Sequence, residues 1–216
     1  MFPLYKIDLV LRRIRKMFYV RWNRWVFKLN SVTYGNNLCV YNRFYLLKQL
    51  SAKIEVGDNV IFTSGDAFNP LSRNIRGCIF ADDNAVLKIG HDTGISSSCI
   101  WVKSKIIIGN HVKIGGDCII MDTDAHNLDY IIRRGYVRNN KGRSMDTITA
   151  EAKPIIIEDD VLIGTRCVLL KGVTIGARSI IGSGSVVTKS IPSDCIAAGN
   201  PCRIIRQINS NNNKNL

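Results

Sequence analysis

Residues 157–192, cut in sixes, read IEDDVL, IGTRCV, LLKGVT, IGARSI, IGSGSV and VTKSIP. Every first position is aliphatic: Ile157, Ile163, Leu169, Ile175, Ile181 and Val187. The fifth position is slim or β-branched, as at Val161, Cys167, Val173, Ser179 and Ser185, and the second is Gly at Gly164, Gly176 and Gly182. A period of six is neither the 3.6 of a helix nor the 2 of a single strand. It fits a short strand plus a corner, repeated, with the first residue pointing into a prism where aliphatic side chains stack. Three such sides close one coil, and each coil pairs with the next. The second position lies at the turn, where Gly can take φ > 0 without a Cβ clash.

The pattern extends upstream. IGHDTG, ISSSCI and WVKSKI start at Ile89, Ile95 and Trp101; after one extra residue, IGNHVK, IGGDCI and IMDTDA start at Ile108, Ile114 and Ile120. The stretch IEVGDNVIF around Val56 reads as a further coil. Two segments break the period. Residues 64–77 have the Gly, Asn and Pro of a surface loop. Residues 127–153 form a long polar insertion carrying Arg133, Arg134, Arg138, Lys141 and Arg143, and a loop of that length in a compact domain is expected to be functional or disordered. His126 stands at the junction, where the next inward position falls due.

The chain has 216 residues, a formal net charge of +13 and 8% aromatic residues, so the core is built from Ile and Val. Residues 1–30 hold eight Lys or Arg against one acid and read as an amphipathic helix with Ile7, Val10, Leu11, Ile14, Met17 and Phe18 on its apolar side. Such a helix either packs on the coil or between subunits, or lies on an anionic membrane surface. The expected organisation is a helix over 1–30, a β-helix over 31–204 with the insertion at 127–153, and a tail over 205–216. Seven scattered cysteines without a C-x-x-C pair read as buried free thiols in a reducing compartment. With no uninterrupted apolar leader, the expected location is the cytoplasm, at the inner face of the membrane if the helix binds lipid. The charge lacks a motif that reads nucleic acid, and no nucleic-acid partner is expected.

The run from Pro154 to Asn209, PIIIEDDVLIGTRCVLLKGVTIGARSIIGSGSVVTKSIPSDCIAAGNPCRIIRQIN, resembles the end of galactoside and maltose O-acetyltransferases, members of the hexapeptide-repeat acyltransferases. The resemblance covers roughly residues 89–209. The loop lengths are more like those of the O-acetyltransferases that decorate capsular or lipopolysaccharide sugars. It implies an all-β, left-handed parallel β-helix; the hand comes from the resemblance alone, since ordinary parallel crossovers favour the right hand. It also implies a homotrimer with acetyl-CoA between adjacent prisms, no metal, and acetyl transfer to a sugar hydroxyl in surface-polysaccharide synthesis.

On the same resemblance His126 is the catalytic base, a role suited to an imidazole that titrates near neutrality. Gly115, Thr165 and Ser183 match residues lining the pantetheine arm. Thr188 and Lys189 match a pair reaching toward the nucleotide end, and Arg203 and Arg206 match arginines beside the CoA phosphates, where a guanidinium fork suits phosphate oxygens. Three departures stand out. Leu162 replaces a Trp of the tunnel wall. Ser96 replaces an Asn that helps place the acceptor, so the acceptor differs. Asp122 and Asp124 replace neutral residues before His126, where they could orient the ring or repel an anionic acceptor.

Competing readings are an N-acetyltransferase on an amino-sugar nucleotide, an antibiotic O-acetyltransferase, a zinc carbonic anhydrase of the same fold and a non-enzymatic scaffold. The carbonic anhydrase needs three converging histidines, whereas His91 and His111 sit in I-G-H and I-G-N-H corners.

Overall fold

The computed structural model describes residues 4–65, 71, 74–140 and 142–208. The expected tail at 209–216, Lys141 and much of the 64–77 loop lie outside the described residues. Among the described residues between Thr33 and Gln207 run twenty short strands, grouped in three sheets that form the faces of a triangular prism. The first face carries six strands, from Thr33–Tyr34 to Thr174–Ile175; the second carries eight, from Cys39–Val40 to Arg203–Gln207; the third carries six, from Tyr45–Lys48 to Val186–Val187. Within these sheets every strand pairing among the described residues is parallel except the last, where Arg203–Gln207 folds back antiparallel on Cys195–Ala198. That strand crosses the boundary expected at 204/205 and covers the open edge of the second face.

One inward column lines each face. Val56, Ile89, Ile108, Ile157 and Ile175 stack on the first. Phe62, Ile95, Ile114, Ile163 and Ile181 stack on the second, and Ile79, Ile100, Ile120, Leu169 and Val187 on the third. Nearly all are fully buried, so each Ile or Leu removes an aliphatic side chain from water, a gain of about 1.5–3 kcal/mol.

Two details of the hexad differ from expectation. Glycine at the second position does not supply φ > 0; the left-handed residue is the fourth, as at Asp160, Arg166, Gly172, Arg178 and Gly184. The second-position glycines are required by close stacking instead. A Cβ on Gly164 would lie 2.5 Å from the amide nitrogen of Ser183, and one on Gly176 would lie 2.3 Å from that of Ser193. Trp101 also does not point inward. Only five residues separate the inward Ile95 and Ile100, against six from Ile114 to Ile120, so the slip falls at the Ser96–Ser98 corner and turns Trp101 outward. A slim column has no room for an indole, and outside the coil its Nε1–H finds Asp82 Oδ2 at 3.2 Å.

Helix α1 (Leu4–Leu29) closes the start of the coil with its C-terminal third. Phe27 is buried against Phe44 and Phe62. The first coil has no coil beneath it, and α1 supplies donors to its carbonyls: Asn23 Nδ2 bonds the carbonyls of Val40 and Asn42, both at 2.8 Å, and Arg24 Nε bonds that of Leu38 at 2.6 Å. Farther toward its start α1 leaves Ile7, Leu11, Ile14, Phe18, Trp22 and Trp25 exposed. No helix among the described residues is long and apolar enough to cross a membrane. Cys118, Cys167, Cys195 and Cys202 are buried free thiols, while Cys39, Cys78 and Cys99 are only half-buried.

Candidate functional site

The coil is interrupted after the third-face strand Ile119–Met121. Asp122 is fully buried, with its carboxylate accepting the backbone N–H groups of Lys103, Ser104 and Lys105 at 2.7, 2.7 and 2.6 Å. Burial raises its pKa, and those three donors pull it back down. Asp122 therefore pins the corner below and does not orient the histidine. Asp124 forms an ion pair with Lys171 at 3.0 Å, and Lys171 also holds Glu151 at 3.0 Å, so this acid ties the start of the insertion to its end. A Thr123–Ala152 bridge and the bond from Asp124 N–H to the Glu151 carbonyl close the same neck.

His126 does not take the inward position that the hexad count allots to it. The chain leaves the coil at the neck, and the imidazole stands outside, with 62% of its side chain exposed. The acid that holds it is Asp146, at the start of the short helix α3 (Met145–Thr149; α2 is Tyr130–Arg133). Asp146 Oδ2 lies 2.6 Å from His126 Nδ1, and Oδ1 accepts the N–H of Asn127 at 2.7 Å. Both bonds draw the carboxyl below the usual range, the His126 contact most, while the residue itself is buried. Ser144 caps α3 by accepting from the Asp146 N–H, which fixes the carboxylate's approach. With Nδ1–H given to Asp146, Nε2 is the ring atom left to accept a proton. Asp146 lies 20 residues beyond His126 in a segment without period, and its only local signal is the Ser144 cap.

The other predicted residues gather elsewhere. Gly115, Thr165, Ser183 and Ser96 line one groove of about 380 Å³ on the second face, with Leu162 on its rim. Its floor is flat because a Cβ on Gly115 would sit 2.6 Å from the Thr165 amide nitrogen. Within one chain Ser96 therefore lies in this groove, apart from His126. Thr188 and Lys189 are exposed just after the last third-face strand, in line with Met121 and Asp122 two coils below. Arg203 and Arg206 are exposed on the final strand; their guanidinium groups donate to the neighbouring carbonyls of Cys202 and Gln207, and neither meets a carboxylate among the described residues. His91 and His111 are exposed at the corner between the first and second faces, away from His126. Within one chain the groove and the His126–Asp146 pair therefore lie on different sides of the prism.

Residues 154–189 match the family described as bacterial transferase hexapeptide (six repeats). The structure is similar to that of a hexapeptide-repeat-containing acetyltransferase from Vibrio cholerae complexed with acetyl coenzyme A, with a TM-score of 0.54 and 26% identity over 87% of this chain and 78% of that one. This is a left-handed hexapeptide-repeat β-helix. The hexapeptide-repeat coil also resembles the polySia-specific acetyltransferase NeuO, at a TM-score of 0.51 and 27% identity over 82% of this chain and 76% of that one. In sequence it is 36% identical over 109 residues to a galactoside O-acetyltransferase of Lactococcus lactis, a match spanning 50% of this chain and 46% of that protein. The chain thus spans about half the length of this curated relative.

Proposed function

We propose that the protein transfers an acetyl group from acetyl-CoA to a hydroxyl of a sugar, with His126 as the general base. The observation that carries this reading is the His126–Asp146 pair, an exposed imidazole whose Nδ1 is held at 2.6 Å by a buried carboxylate. Asp146 fixes the tautomer and compensates the imidazolium that forms when His126 Nε2 takes the acceptor's hydroxyl proton. The deprotonated oxygen then attacks the acetyl carbonyl, and the same Nε2 returns its proton toward the departing sulfur. Acetyl-CoA supplies the activated acyl group as a thioester. The residues present fit it: a smooth-floored groove takes a slim chain, and Arg203 and Arg206 offer unneutralised charge to phosphates.

The separation of groove and histidine supports a homotrimer in which the groove of one copy faces the His126 neck of the next, so that each site draws on two chains. The exposed Trp22, Trp25, Phe18 and Ile14 of α1, flanked by Arg12, Arg13, Lys16 and Arg21, suit contact with an anionic membrane, where a surface sugar would be built. The test is release of CoA thiol with acetyl-CoA and a panel of sugars, sugar nucleotides and polysaccharide. Sugar-dependent release should be lost in His126→Ala while the oligomer persists; near-normal turnover by that variant would sink the mechanism. Release supported only by amino-sugar nucleotides would favour the N-acetyl reading.

A further inference from the structure

A cavity of about 870 Å³ lies between the third face of the coil and the 127–153 insertion. Its size falls in the range of about 300–1,000 Å³ usual for small-ligand sites. Its wall includes Ala125, one residue before His126, and Thr147, one residue after Asp146, so it opens beside the histidine pair. The coil side is aromatic. Phe80 and Trp101 are register partners on neighbouring strands, both turned outward, with ring centroids 5.5 Å apart at 73°. The Trp101 Nε1–H is fixed by Asp82 Oδ2, and Asp82 Oδ1 accepts no bond among the described residues.

The charges in this cavity decide what it can take. Lys103 spends its Nζ on the carbonyls of Thr147, Ile148 and Ala150, at 2.5, 3.1 and 2.8 Å, which also straps the insertion to the coil. Arg143 Nη1 is held by Asp83 Oδ2 at 2.7 Å. Among the described residues both cations are engaged by these contacts, and Asp82 stands beside the aromatic wall with an acceptor oxygen to spare, Gln49 and Asn140 adding amides to the lining. Asp82 and Asp83 balance Lys103 and Arg143 on the lining, with Lys103 near enough to act on Asp82, so an anionic ligand would meet no net positive charge among the described residues. A neutral pyranose fits instead: its C–H face lies against an aromatic ring, and its hydroxyls donate to Asp82.

We propose that this cavity docks the sugar ring of the acceptor, that the ring is uncharged, and that Trp101 and Asp82 determine that specificity. The proposal rests on the acetyl-transfer reading for its place in catalysis, but its binding chemistry can be read separately. Saturation-transfer NMR would be run on the full chain with maltose and methyl β-galactoside as neutral probes and N-acetylneuraminate as the acidic one. Parallel kinetics would follow CoA release. Saturation is expected for a neutral probe, weakly or not at all for the acidic one, and in His126→Ala as in the parent. Trp101→Ala should abolish that saturation and raise the acceptor KM by about tenfold or more, the equivalent of about 1.4 kcal/mol. Its kcat and its KM for acetyl-CoA should hold, and Trp101→Phe should recover much of the loss. Asp82→Asn should narrow the preference for neutral over acidic sugar. Unchanged acceptor KM in Trp101→Ala, stronger binding of N-acetylneuraminate, or no saturation of either neutral probe would overturn the proposal. Trp101-dependent sugar binding without CoA release would leave the subsite standing and refute the acetyl-transfer reading.

Discussion

Asp146→Asn is the perturbation that best separates the proposed chemistry from the fold. The buried carboxylate makes two bonds, to His126 Nδ1 at 2.6 Å and to the Asn127 N–H at 2.7 Å. An amide of the same shape has one acceptor oxygen. The Asn127 N–H is rigid backbone and claims it, so the NH₂ is turned toward Nδ1. His126 must then accept through Nδ1 and carry its proton on Nε2, the atom that is to act as base. The variant keeps the geometry and inverts the tautomer. General-base catalysis contributes typically about 10²–10⁴-fold, so kcat should fall into that range below the parent, close to the loss in His126→Ala. KM for acetyl-CoA should stay within about twofold, because neither Asp146 nor His126 lines the groove. The double variant should be no worse than His126→Ala alone, since the two residues act as a unit. The assay is steady-state CoA release, with ¹⁵N NMR of the imidazole reporting the tautomer. An Asp146→Asn enzyme within about tenfold of the parent, beside a His126→Ala enzyme down by 100-fold or more, would refute the reasoning.

Other outcomes follow from the same contacts. Asp146 has a folded-state pKa below its unfolded value of about 4, so its stabilisation is present above that value and is lost as pH falls through the depressed one; urea midpoints of parent and Asp146→Asn should converge as pH drops below about 4. Gly164→Ala drives a Cβ to within 2.5 Å of the Ser183 backbone and should destabilise the coil by about 1–3 kcal/mol, read as a lowered thermal midpoint and a raised KM for acetyl-CoA. Gly184→Ala meets nothing within 4 Å but holds φ at +75°, so its cost should be the smaller one of backbone strain, about 1 kcal/mol. Asn23→Ala removes two bonds to first-coil carbonyls and should cost about 1–3 kcal/mol by thermal or urea denaturation. Flotation with vesicles containing phosphatidylserine should carry the parent up, and Trp22→Ser with Trp25→Ser should stay behind; equal flotation of both would remove the membrane role of α1.

Some of this protein could be read along the chain. The hexads from Ile157 to Val187 specify three inward columns, because a residue's place in a coil depends only on its neighbours six and eighteen positions away. His126 and the groove residues Gly115, Thr165 and Ser183 were singled out by the resemblance and not by the period, and the fold sets them on two different faces. Trp101 was misplaced because one corner dropped a residue, and a periodic count cannot see where slack falls; the narrow prism, which rejects an indole, decided it. The roles of the acids were not legible either. Asp122 and Asp124 stand next to His126 in sequence, yet the fold spends one on the corner at Lys103–Lys105 and the other on Lys171. Asp146 reaches the imidazole only once the insertion has closed on itself. That closure depends on contacts such as Lys103 with the α3 carbonyls, made between segments more than 40 residues apart, which no repeat encodes.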